Sequence, residues 1–451
     1  MLGINDILPL HLQLAMMRLF ASQNAWSDLN VNSSINWPRF MLQWSEFLPR
    51  PKTPLEQWED VLQEHAREAR SDQRSRKQQR QQKHRASQRQ EKNADSQANN
   101  PFSEFFDHPL FTAALNNEAF VRTQSFIEGT QAVANSDYTR TPSPHRVLWE
   151  YGKTRLLDYA PNSTDRVAVL IIPSLINRSY VVDIDPAASF VNYLASQGLR
   201  PLLLDWAEPE EESLSYSCAD YISAVALPAL NAVRAVHDGP LVLAGYCMGG
   251  VFAVAMAQLA HRICDGLILL ATPWDFSAQD SPRVALSGMT QLALRQTFAT
   301  MNPIPPTVLN LCFHLIDPWA IQKRYERFSS LADSDRTLFL AVENWLADAV
   351  PLSQRVAIES FIDWPQENIL HEGKFKIGRS WIEPQAIRCP ALAVIPEHDR
   401  IVPASCALPL AERLPRCEIL TPKLGHVSMM TSIAARAAMW KPLCQWINRH
   451  F

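Results

Sequence analysis

The sequence predicts an α/β protein, a mostly parallel sheet with helices on both faces and an inserted cap, preceded by a helical N-terminal extension. Three observations predict it. Short apolar, β-branched runs alternate with helical stretches from about residue 150 onward, the signature of a parallel sheet built from βαβ units. A Gly-rich turn, Gly245-Tyr246-Cys247-Met248-Gly249-Gly250, stands between a strand and a helix. The rhythm then breaks between about residues 277 and 387, with Pro303, Pro305 and Pro306 and many large apolar residues, and resumes at residue 391, as expected of a segment inserted over a sheet edge.

Taken in order, residues 1–63 are rich in Leu, Trp and Met and punctuated by Pro38, Pro49, Pro51 and Pro54. They read as short amphipathic helices, serving either to dock a partner or apolar surface or to pack on the chain's own domain. From His65 to Lys92 there are ten Lys or Arg, three Asp or Glu, and no aliphatic residue larger than Ala. Such a segment buries no core, so residues 64–100 read as a charged, Gln-rich linker, solvated helix or disordered. Without aromatic residues it is weak evidence for nucleic-acid binding. Residues 101–150 form a helical lead-in, with helix over 102–135 and strands over 147–159. The catalytic domain spans 151–451, with its cap at about 278–385. Strands are expected at 167–172, 200–205, 240–244, 266–271, 391–395 and 417–420, with helices at 187–196, 218–236 and 250–261.

Composition narrows the function classes. The chain has 451 residues, 47% apolar and 20% charged, with a net charge of −4, so it can bury a core and has no global attraction for nucleic acid. The eight cysteines all lie at or beyond residue 218, without a CxxC pair or a zinc-ligand spacing, which fits free thiols in a reducing compartment. No metal or cofactor is expected. No signal peptide is read at the N-terminus, and no uncharged apolar run reaches 18 residues. The expectation is a cytoplasmic protein without a membrane span.

Glycine makes up only 13 of 451 residues, yet three fall within six positions at 245–250. A strand-to-helix turn of the form G-x-Cys-x-G is a nucleophile elbow, in which small flanking residues permit a sharp turn that lifts the middle side chain above the sheet. The helix N-terminus beside Cys247 favours a thiolate. A phosphate-binding loop is the alternative for a Gly-rich turn, but the Lys-Ser/Thr of a P-loop is missing, as is dinucleotide spacing. A nucleophile needs a base and a group to orient it, in the chain order nucleophile, acid, histidine typical of α/β-hydrolases. Asp399 in "PEHDRIVP" and His426 in "LGHVSMM" follow in that order. His398 competes with His426 but precedes the acid. Acyl transfer also needs an oxyanion hole. Met248 would supply one backbone N–H, and Leu175 or Ile176 in "IPSLINRSY" the other.

These residues resemble those of the polyhydroxyalkanoate synthases, bacterial acyltransferases of α/β-hydrolase fold that form polyester storage granules. The resemblance runs from about Pro101 to the C-terminus. It includes "VLIIPSLINRSYVVDIDPAASFVNYLASQGLRPLLLDW", the Cys-containing lipase box "GYCMGG", "ATPWDFS", "ENWLADAVPL", "EHDRIVP" and "GHVSMM". Arg400 stands where that family usually has His after the acid. By motif, the family's triad carries over to Cys247, Asp399 and His426. The resemblance implies attack by Cys247 on a 3-hydroxyacyl-CoA thioester, release of CoA, and transfer of the acyl group to a growing chain's hydroxyl. It also implies contact with a polyester granule surface, and a granule-associated protein or a second copy of the chain as partner. Two alternatives stay open: a cysteine-dependent hydrolase (thioesterase, esterase or depolymerase), and a non-catalytic granule-associated protein.

Overall fold

The computed structural model describes residues 109–451 except 164–165, 279, 282–288 and 317–319; the expectations for 1–63 and 64–100 lie outside these residues. The chain divides into two compact units between residues 130 and 131. Of the N-terminal one, the structure describes most of helix α1 (Pro109–Ala134).

The second unit is built on an eight-stranded sheet in the order β1-β2-β4-β3-β5-β6-β9-β10. The strands are β1 (Arg146–Tyr151), β2 (Thr154–Asp158), β3 (Ala168–Ile172), β4 (Arg200–Asp205), β5 (Leu241–Tyr246), β6 (Gly266–Leu270), β9 (Ala391–Val394) and β10 (Cys417–Leu420). β1 and β2 form an antiparallel hairpin and β2 pairs antiparallel with β4, whereas every pairing from β4 through β10 is parallel. Within the insertion, β7 (Lys376–Ile377) and β8 (Ser380–Trp381) make a two-residue ladder of their own. β3, β5 and β6 are buried along their whole length, as parallel strands covered on both faces must be. Alternate residues of each strand feed opposite cores: Leu170, Ile172, Leu202 and Leu204 face one, and Val169, Ile171 and Leu203 the other.

The helices match the sequence reading with small shifts of boundary. The stretch expected as helix over 187–196 is a 3₁₀ turn, Pro186–Ala188, and then α2 (Phe190–Ser196), separated by Ser189. Ser189 is the reason for the break, since its side chain accepts the Asn192 N–H as an N-cap. The helix after β4 runs through α3 (Cys218–Tyr221), a π turn (Ile222–Ala226) and α4 (Leu227–Arg234). Among the described residues, a proline follows each of three π turns, Ile222–Ala226, Glu359–Asp363 and Arg436–Trp440: Pro228, Pro365 and Pro442 lie near the start of the next helix. Proline has no N–H and its ring crowds the preceding turn, and widening that turn lets the helix continue past it. After the elbow, α5 (Met248–Leu259) is buried from Met248 through Ala257, which suits its run of Val, Ala, Phe and Met.

Between β6 and β9 the chain is largely helical: α6 (Met289–Ala299), α7 (Pro306–Ile316), α8 (Ala320–Glu326), α9 (Asp333–Ala347), α10 (Gln354–Ile358) and α11 (Trp364–Glu367). The sequence did not suggest the β7–β8 ladder. The final elements are α12 (Ala404–Arg413), α13 (Ser428–Thr431) and α14 (Lys441–His450). Among the described residues, no helix is long and apolar enough to cross a membrane.

Candidate active site

Because β3, β5, β6, β9 and β10 run parallel, their C-terminal ends share one edge of the sheet. The loops that follow them carry Ser174 to Ile176, Cys247, Thr272, Asp399 and His426. Open parallel sheets place ligand crevices at this edge.

Cys247 sits between β5 and α5 with φ 55° and ψ −124°, a strained conformation for a residue with a side chain. Its backbone is held on both sides: its N–H donates to Leu270 O at 2.9 Å, and its carbonyl accepts from Gly250 N–H at 2.9 Å. The three glycines around it make the turn sterically possible. A Cβ at Gly249 would overlap the carbonyl oxygens of Ile172 and Pro173, one at Gly250 would overlap the Thr272 side chain, and one at Gly245 would meet the backbone of Gly249 and Gly250. The elbow is therefore pressed against the end of β3, close to the loop that follows it.

Asp399 and His426 are brought together by a zipper between the loops after β9 and β10. Glu397 N–H donates to Pro422 O and His398 N–H to Leu424 O, each at 3.0 Å. His426 Nδ1 then lies 2.7 Å from Asp399 Oδ2. The other carboxylate oxygen, Oδ1, accepts the N–H groups of Ile401 and Val402 at 2.8 Å each, and the Asp399 side chain is fully buried. A carboxylate with both oxygens occupied cannot swing away, so it fixes the imidazole and selects the tautomer with Nδ1 protonated. Burial alone would push the His426 pKa down. The Asp399 carboxylate, followed by Cys247 and the hydrogen bonds of both side chains, outweighs burial and holds it well above 6.5. Cys247 thus lies close enough to His426 to act on its titration. His398, the competing histidine, is exposed, and among the described residues it is His426 that pairs with Asp399.

In the loop after β3, the Ile176 N–H donates to Ser174 Oγ at 3.1 Å, which occupies one of the two N–H groups that are alternatives for the second oxyanion donor beside Met248. Leu175 and Met248 are buried beside the elbow, 4% and 3% exposed.

Sequence reasoning passed over three contributors. Tyr246, the variable residue of the elbow, is buried and donates its hydroxyl to His426 O at 3.0 Å. Trp345, in "ENWLADAVPL", donates its indole N–H to Arg178 O at 2.8 Å. Asp275, in "ATPWDFS", accepts from Ser277 N–H and Asn368 Nδ2 at 2.8 Å each and lies 3.2 Å from His371, which ties the end of the helical insertion to the loop after β6. The last two lie in stretches already singled out as family-like, but a pattern of letters says nothing about which backbone atom a side chain will meet. Among the described residues there is no group of His, Cys, Asp and Glu suited to hold a metal ion.

A protein-family model described as the alpha/beta hydrolase fold matches residues 167–432, which takes in every side chain of this site. Poly(3-hydroxyalkanoate) polymerase subunits PhaC are similar over most of the chain. That of Haloferax mediterranei is 23% identical over 349 residues, covering 74% of this chain and 71% of that protein. The Haloarcula marismortui protein is 24% identical, covering 78% and 77%, and that of Thiocystis violacea 27% identical, covering 74% and 96%.

Proposed function

Since the chain belongs to the alpha/beta hydrolase fold family and its curated relatives are named poly(3-hydroxyalkanoate) polymerases, we propose that it is an acyltransferase that polymerises 3-hydroxyacyl-CoA into polyester. The observation that carries this reading is a cysteine in a strained elbow, φ 55°, next to a histidine held at 2.7 Å by a buried carboxylate.

The chemistry runs in two halves. Cys247 Sγ, as thiolate, attacks the thioester carbonyl. The oxyanion forms against the N–H of Met248, at the start of α5, and the N–H of Leu175, which is favoured over Ile176 because the latter already donates to Ser174. The C–S bond to CoA breaks, His426 gives its proton to the leaving thiolate, and an acyl-Cys247 remains. In the second half His426 removes the proton from the terminal hydroxyl of the growing chain. That oxygen attacks the acyl group, and the Cys247 thiolate leaves with the polyester one unit longer. Asp399 keeps its proton count throughout and stabilises the imidazolium.

A hydrolase would use the same first half and admit water in the second. The helical insertion between β6 and β9 is proposed as a cap that keeps water from the acyl-enzyme, so that transfer to a hydroxyl wins. Residues 1–63 are proposed to bring the enzyme to the granule surface or to a granule-associated partner. Incubating the purified protein with 3-hydroxybutyryl-CoA and following CoA release together with polymer turbidity tests the reading. Release with turbidity is expected. Release without polymer would make the chain a cysteine hydrolase, and the absence of both signals would overturn the enzymatic reading.

A further inference from the structure

We propose that Trp345 of the helical insertion is a positioning residue for the oxyanion hole, a role that rests on the acyl-transfer reading above. The loop after β3 is gripped at two carbonyl oxygens by two buried indoles. Trp206 Nε1 donates to Pro173 O at 3.0 Å, and Trp345 Nε1 donates to Arg178 O at 2.8 Å. Leu175, the candidate second donor, lies between these pins. The two grips come from different parts of the fold. Trp206 directly follows β4 and belongs to the sheet, whereas Trp345 lies on α9, between β6 and β9.

An indole has a single N–H and no acceptor, on a rigid ring with few rotatable bonds. With the ring buried, 5% exposed at Trp206 and 4% at Trp345, its N–H fixes the carbonyl it meets. The segment between the pins needs fixing, because Asn177 has φ 71°, a left-handed conformation that asparagine enters more readily than other side-chain-bearing residues but does not hold without support. Strain of this kind persists only where the surroundings impose it. Around the same carbonyl, Arg178 lies 3.3 Å from Asp348 and Tyr180 Oη donates to Asp348 at 3.0 Å. Asp348 is half exposed, and pairs in such a setting contribute little. The bond from the buried Trp345 indole is therefore the principal hydrogen bond from the insertion to the loop. Losing it leaves the Arg178 backbone held only through side chains, those of Arg178 on Glu208 and Asp348 and of Ser179 on Asp205, so the turn at Asn177 gains play and the Leu175 amide shifts from the position where oxyanion charge develops. The insertion thus does more than cover the site, since docking α9 completes it.

The test is Trp345→Phe in the full-length protein, which keeps an aromatic ring and removes the N–H. Loss of one well-placed oxyanion donor costs about 10²–10³ in rate, and a displaced donor should cost a part of that. The expected result is a kcat for CoA release from 3-hydroxybutyryl-CoA lower by about ten-fold or more, with KM within about two-fold. Alkylation of Cys247 by iodoacetamide should keep its rate, because that reaction develops no oxyanion. An aldehyde analogue of the acyl group, which forms a hemithioacetal on Cys247, should bind more weakly in step with the loss of kcat. A non-hydrolysable CoA thioether should bind as before. Should the Phe variant fail to fold, benzothienylalanine at position 345 replaces only the N–H with sulfur and keeps the shape. Unchanged kcat in an active protein overturns the Trp345 role alone, and so does an alkylation rate that falls in parallel with kcat. A wild-type protein that releases no CoA overturns the acyl-transfer reading and this role with it.

Discussion

Tyr246 and His426 are joined at two points: the tyrosine hydroxyl donates to the histidine carbonyl at 3.0 Å, and the two rings lie 5.2 Å apart at 31°. The residue before the nucleophile thus supports the residue that activates it, 180 positions further along the chain. Burial, and then the charges of Cys247 and Asp399, hold the Tyr246 hydroxyl well above its ordinary pKa, so it stays neutral and remains a donor. Removing the hydroxyl with Tyr246→Phe leaves a carbonyl without its partner, at a cost of about 1 kcal/mol. We expect a kcat lower by a few-fold with KM unchanged and a slightly lower Tm. Steady-state kinetics alongside thermal unfolding check this, and equal kcat in the two proteins would show that the bond is only structural.

Cys247→Ala is expected to abolish CoA release while preserving the unfolding transition, because the change removes a single sulfur atom from a partly buried side chain. Cys247→Ser should be severely impaired, since an alcohol has no accessible anion near neutral pH. Full turnover by the Ala variant would remove the nucleophile assignment.

Asp399→Asn removes the charge that raises the His426 pKa and the acceptor that orients the ring. Activity should fall by roughly 10⁴, the scale seen when an orienting carboxylate of this kind becomes an amide. His426 is expected to titrate at lower pH in the variant, measurable by NMR of its ring protons. The effect on stability has a definite sign. The folded pKa of His426 lies above its ordinary 6.5, so the pairing contributes fully below that pH and is lost as pH rises through the raised folded value. The Tm advantage of the wild type over Asp399→Asn should therefore be larger at low pH than above the folded pKa. An advantage independent of pH would contradict the coupling.

Gly249→Ala and Gly250→Ala should separate by what the new methyl meets. At Gly249 it meets backbone oxygens of Ile172 and Pro173, which cannot move without disturbing β3, and at Gly250 it meets the Thr272 side chain. Both should lose stability, by about 1–3 kcal/mol or more on the scale of core overpacking. Thr272→Ala should partly rescue Gly250→Ala and leave Gly249→Ala unimproved. Chemical denaturation of the four proteins measures this, and equal rescue of both would show that the loss comes from the backbone and not from the contact.

The strands and the elbow were legible in the sequence because they depend on local signals. Runs such as "AVLII" and "LVLAG" are apolar along their length because both faces of a parallel strand are buried. Gly245, Gly249 and Gly250 stand where a methyl group would strike a neighbour. Chain order then singled out Asp399 and His426, and the structure brings them to 2.7 Å. What the sequence left open depends on contacts between segments far apart in the chain. The stretch read as one helix over 218–236 contains Pro228, and a π turn carries the chain past it, a local widening that the helical pattern of letters does not announce. Leu175 and Ile176 look equivalent as donors until Ser174 Oγ takes the Ile176 N–H. Trp345 and Arg178 are 167 residues apart, and only a folded chain decides which carbonyl an indole will meet. Local sequence determined which residues could do chemistry, and tertiary packing decided which of their atoms are held in place to do it.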